Sequence, residues 1–174
     1  MLAALHQPAL AQAHDTTDVF AFFDGRSVSE GRIRTLLVFK ETFTATFQGR
    51  AVADHLDLDE RFHFEDGERL QRWALDRNGM SVSGTVRTEQ KDGALSQPFP
   101  VRGELTTDGM VLHYQSIAPG GGSLLLNFRH EMHANADATI ANTVGVSKFG
   151  LPLARSSVTF AKSEDALRAH DQPR

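Results

Sequence analysis

The chain contains no cysteine. That excludes disulfides, thiol catalysis, thiolate metal sites and the acylated cysteine that anchors a lipoprotein. Positive charge is not in excess either. Lys and Arg number 18 against 22 Asp and Glu, a net charge of −4, and no linear run is basic. This argues against nucleic acid as a partner. No stretch approaches the roughly 20 apolar residues of a membrane-spanning helix. No long helical periodicity separates the strand-like segments, so a parallel sheet is excluded. There is no G-x-S-x-G elbow, no P-loop and no dinucleotide fingerprint, and no cofactor is expected.

What is present is alternation. The 174 residues are 40% apolar and 23% charged, enough for one domain with a real core. Residues 56–86 read LDLDERFHFEDGERLQRWALDRNGMSVSGTV. Asp66-Gly67 and Asn78-Gly79 are two-residue hairpin signals. With those pairs as loops, Glu60 faces Trp73 and Trp73 faces Gly84. The inner face then carries Leu56, Leu58, Glu60, Phe62, Phe64, Arg69, Gln71, Trp73, Leu75, Val82 and Val86. Asp57, Asp59 and Glu65 fall on the outer face. Asp108-Gly109 is a third such signal, and it sets Gly103 opposite Tyr114. In both places a glycine stands where an aromatic ring needs room.

Strands are also expected over 31–39, 42–48, 98–105, 123–133, 136–144 and 153–161. Val19 to Phe23 reads as a helical turn or lid. Leu126, Phe128, His130 and Met132 share one face; Ala138, Ile140, Asn142 and Val144 share another. Ser163 can cap a short helix over 164–169. Nine or ten strands in sequential hairpins predict an all-β fold: a single antiparallel up-and-down barrel with a short C-terminal helix. The divisions are 1–18, 19–162 for the barrel, and 163–174 for the helix and a loose tail. Within 1–18, Ala11-Gln12-Ala13 resembles a signal-peptidase site, but no positive residues precede it, and His6 and Pro8 interrupt the apolar part. The segment reads as the remnant of an export signal or as a disordered extension.

Three stretches resemble an uncharacterised bacterial family, a domain of unknown function often labelled putative lipoprotein. They are FFDGR at 22–26, LDLDERFHFEDGERLQRWAL at 56–75 and ANTVGVSKFGLPLARSSVTF at 141–160. The likeness spans Phe22 to Phe160. It implies a lipocalin-like barrel and a cell-envelope, periplasmic setting, and it carries no activity. Without cysteine this chain departs from the lipoprotein label.

His130-Glu131-x-His133 has the letters of a zinc motif, but a spacing of three on a strand sends the two histidines to opposite faces. Glu60 has no second acid on the inner face, which disfavours a two-carboxylate hydrolase. The candidate site is therefore Glu60, Gln71, Trp73, Tyr114, His130 and Asn142, a few polar groups on an apolar inner wall. Such a wall suits a small apolar or amphipathic ligand. Two alternatives stand beside it. One is a cofactor-free isomerase, cyclase or lyase with Glu60 or His130 as general base. The other is a structural or protein-binding module with a filled barrel.

Overall fold

Ten antiparallel strands form a closed meander in the computed structural model, which describes residues 18–36, 40–119 and 122–172. A short helix α1 (Val19–Phe22) precedes β1 (Gly25–Thr35), β2 (Lys40–Val52), β3 (His55–Phe64), β4 (Gly67–Asn78) and β5 (Ser81–Thr88). Then follow β6 (Phe99–Leu105), β7 (Gly109–Ser116), β8 (Leu126–Ala134), β9 (Ile140–Lys148), β10 (Leu151–Ala161) and α2 (Glu164–His170). Each strand pairs with the next, and β1 pairs with β10 to close the barrel. The expected all-β up-and-down barrel with one short C-terminal helix is the observed fold.

Alternation sorts the side chains. Leu56, Leu58, Glu60 and Phe62 of β3 point inward, as do Gln71, Trp73 and Leu75 of β4 and Val82 and Val86 of β5. The inner face is thus the expected one, but the registers differ by two residues. Gly67 pairs with Phe64, so Glu65-Asp66 is the loop; Asn78 pairs with Ser81, so Gly79-Met80 is the loop. Glu60 therefore faces Gln71, and Trp73 lies between Leu58 and Val86. A two-residue slip keeps every side chain on its face, so the hydrophobic pattern is blind to it.

The outer charges are not blind to it. The expected register would set Arg61 against Arg72, Asp57 against Asp76 and Glu65 against Glu68. The observed one sets Asp59 against Arg72, His55 against Asp76 and His63 against Glu68, with closest approaches of 2.7, 2.7 and 3.1 Å. Opposite charges across a pair contribute and like charges cost, about 0.2–1 kcal/mol each.

The glycine readings change with the registers. Gly103 faces Leu112, and Val101 faces Tyr114. A β-carbon on Gly84 would lie 2.0 Å from the Ala74 carbonyl oxygen, and one on Gly103 would lie 2.1 Å from that of Val111. These glycines admit a neighbouring backbone, not an aromatic ring.

Several boundaries also move. β1 begins at Gly25 rather than 31, while residues 37–39 of the expected strand lie outside the described residues. β2 runs through Gly49 to Val52. β9 begins at Ile140 because the Asp137 carboxylate accepts the Thr139 N–H and O–H, which holds Ala138 in a turn at φ 62°. α2 is capped as expected: Ser163 Oγ accepts the Ala166 N–H. The proposed export segment lies almost wholly outside the described residues.

The two ends of the barrel are unlike. α1 plugs one. Asp18 caps it, accepting the Phe20 N–H at 2.9 Å, and Val19, Phe20, Phe22 and Phe23 are buried. Phe23 meets Phe47 and Phe160 with ring centroids 5.6 and 5.3 Å apart. Arg77 bonds Asp18 and stacks over Phe20, and Lys162 donates to the Phe22 carbonyl, fastening the plug to the wall. Among the described residues the other end is open.

Candidate functional site: a blind well in the barrel

Inside the open half lies a cavity of about 680 Å³. Its wall is mostly apolar, with Phe43, Phe62, Phe64, Phe128, Val144 and Val158 supplied by β2, β3, β8, β9 and β10. Its mouth carries Glu41, Glu65 and Asp66. These acids were not on the expected inner face: Glu65 and Asp66 belong to the β3–β4 loop, and Glu41 opens β2. Burial, followed by the charges of Asp66 and Glu65, raises the Glu41 carboxyl above its ordinary value.

Five of the six candidate residues, Glu60, Gln71, Tyr114, His130 and Asn142, line this well. Trp73 lies beneath it, among the buried side chains of Leu58, Leu75, Met110 and Leu112, which enclose a small void of about 30 Å³ between the well and the plug. The indole holds the site together from below. Its Nε1–H donates to Glu60 Oε2 at 3.0 Å. Its ring stands edge-on to Tyr114 and to His130, at 5.1 and 5.9 Å.

His130 joins the other two. Its Nε2 is 3.0 Å from Tyr114 Oη and its Nδ1 is 3.3 Å from Asn142 Nδ2. A neutral imidazole has one donor and one acceptor. With Asn142 Nδ2–H donating to Nδ1, the proton sits on Nε2 and is donated to Tyr114 Oη. The Tyr114 O–H then remains free to donate. Asn142 Oδ1 is buried and has no partner among the described residues. Gln71 stands apart, donating to Thr88 Oγ1 at 2.8 Å, with Ser116 beyond it at 3.2 Å.

The floor is uncharged at neutral pH. Burial raises the Glu60 carboxyl to about 8, and the indole bond offsets only part of that. Burial lowers His130 to about 4. Burial, and then the nearby Glu60, raises the Tyr114 hydroxyl well above its usual range. With Oε2 accepting from Trp73, the carboxyl proton belongs on Oε1, which has no protein partner among the described residues. The floor thus offers two O–H donors and one amide acceptor without net charge.

The zinc-like letters divide as expected. His130 faces the well and His133 faces outward, 3.2 Å from Asp108. No group of three possible ligands clusters among the described residues. No helix among them is long and apolar enough to cross a membrane.

A closed antiparallel meander, plugged at one end and hollow at the other, defines a lipocalin-like domain. Residues 2–162 match the family described as protein of unknown function (DUF3833), and the chain belongs to that family. No curated protein matches the chain.

Proposed function

We propose that the barrel binds one small amphipathic ligand, chain against the phenylalanine wall and uncharged polar end at the floor. The carrying observation is the well itself, about 680 Å³, apolar along its sides and polar at its base. That volume lies in the range of roughly 300–1,000 Å³ common for small-molecule pockets. Carbonyl, hydroxyl or protonated carboxyl ends suit a floor whose groups are neutral, because burying a bare charge there would be costly.

The volume favours binding over a filled structural module. The floor chemistry favours binding over catalysis. Glu60, its carboxyl raised to about 8 by burial, is mostly protonated at neutral pH and meets a ligand as a hydrogen-bond donor. Both His130 nitrogens are already engaged by Tyr114 and Asn142. An envelope setting belongs to the same proposal, since an apolar cargo and an apolar well suit a compartment bounded by lipid.

The test is titration with a fluorescent long-chain fatty-alcohol analogue, whose polar end is uncharged. Saturable binding at one site is expected. Val158→Phe extends a wall residue into the void, so it should weaken the probe about tenfold while leaving the urea midpoint nearly unchanged. Absence of saturable binding, or equal affinity in V158F, would refute the carrier reading.

A further inference from the structure

The open rim is divided into two arcs. On one side, β2 to β4 bring Glu41, Glu65 and Asp66 to the mouth. On the other, β8, β9, β10 and β1 end in exposed large apolar side chains: Leu124, Phe149, Leu151 and Leu36. Phe149 is 89% exposed and Leu151 67%. The four are neighbours along the rim. Leu36 N–H donates to the Leu153 carbonyl, Lys148 pairs with Leu151, and Lys148 Nζ donates to the Leu125 carbonyl. Lys148 also lies 4.9 Å from the centre of the Phe149 ring. Single exposed apolar residues are ordinary, as Val52 and Met80 are at the plugged end. Four around one arc of an open mouth are not.

A second observation adjoins the arc. Lys40, Arg34 and Arg155 are direct cross-strand partners on the outer wall of β2, β1 and β10. All three are exposed, and none has an acidic partner among the described residues. Like charges set side by side are unfavourable unless something anionic neutralises them. The row is invisible in the linear sequence because each residue comes from a different strand, and the chain as a whole is acidic.

We propose that this arc docks on an anionic lipid surface, with Phe149, Leu151, Leu124 and Leu36 entering the interface and Lys40, Arg34 and Arg155 meeting the headgroups. Apolar side chains ringed by cations are the recognised composition of an interfacial anchor. The acidic arc opposite is repelled, so the barrel tilts, with its mouth against the bilayer along one lip. The proposal draws its purpose from the carrier reading, because a mouth held at a membrane can exchange an apolar ligand without passing it through water. The docking itself needs only the rim.

Flotation with phosphatidylcholine vesicles, with and without phosphatidylglycerol, tests it. Binding should require phosphatidylglycerol and decline with salt. F149S/L151S and, separately, R34E/R155E should each reduce the bound fraction about tenfold. All four positions are exposed, and a cooperative urea transition monitored at Trp73 confirms that each variant is folded. Equal binding to both vesicle types, or binding unchanged in both variants, overturns the proposal. So does a concentration-dependent dimer that F149S/L151S abolishes without any vesicle binding, since the occupant would then be a second copy. Fatty-alcohol probe binding without vesicles is scored separately, so failure of the well and failure of the rim are distinguishable.

Discussion

Replacing Glu60 with glutamine should change how stability depends on pH. Glu60 is buried at the floor of the well, and its carboxyl titrates at about 8 instead of the ordinary 4.5. The sign follows from linkage. Below pH 4.5 the group is protonated whether the chain is folded or not. Between 4.5 and about 8 the unfolded chain gives up the proton while the folded one keeps it, so stability falls as pH rises. Above about 8 both forms are ionised and the loss is complete. The gap between 4.5 and about 8 corresponds to about 5 kcal/mol in all, at about 1.4 kcal/mol per pH step. The glutamine side chain does not ionise, and its amide oxygen can still accept the Trp73 N–H.

The parent's own curve will not show this cleanly. His130, lowered from 6.5 to about 4, contributes stability that is lost as pH falls from about 6.5 to about 4. Over 4.5–6.5 the two slopes oppose each other. The difference between Glu60→Gln and the parent isolates the carboxyl. Urea titrations from pH 5 to 9 should show that difference growing by several kcal/mol in the variant's favour. Fluorescence supplies a second readout. Trp73 is the only tryptophan and bonds the carboxyl directly, so native-state emission should titrate with a midpoint near 8 and lose that transition in the variant. Parallel stability curves, with emission flat across pH 7 to 9, would show that Glu60 is solvated and that the neutral floor is wrong.

Trp73→Ala should cost about 3–5 kcal/mol in urea unfolding, because the indole is 4% exposed among the buried side chains under the well. A loss below about 1 kcal/mol would place it in an open pocket instead. Ser29→Ala should be neutral or stabilising by about 1 kcal/mol, since its buried hydroxyl has no partner among the described residues. A clear loss of thermal stability in S29A would mean the hydroxyl is satisfied.

Much of the barrel was legible because a strand's side chains alternate with a period of two. Phe62, Gln71, Val82 and Met132 could be placed inside by parity alone. Parity cannot tell one register from another two residues away, and turn dipeptides were a poor guide: Gly67 starts β4 rather than completing its loop. The outer charges held the answer. Asp59 with Arg72 and His63 with Glu68 only meet in the observed register. The floor residues were found because polar groups at inward positions are conspicuous. The acidic mouth was not, because Glu41, Glu65 and Asp66 line it from a strand end and a loop, where alternation has nothing to say. Nor could sequence show that Trp73 supports the well from below, which depends on how far down the barrel its strand has run.

The seam between β1 and β10 gives this domain an uneven folding problem. Nine pairings join consecutive strands and can form as hairpins, but the seam joins Val28 to Ala161, across nearly the whole domain. Closing a loop of about a hundred residues instead of about ten costs roughly 2 kcal/mol more in chain entropy. Until it closes, both edges of a curled nine-hairpin sheet offer unpaired backbone to other chains. The hydrogen bonds from Lys162 to Phe22 and Asp24 and the Arg26–Glu164 ion pair lie at one end of that seam and act as its clasp. Cutting the clasp should therefore show less in the folded protein than in its yield from refolding, where an open seam is an invitation to aggregate.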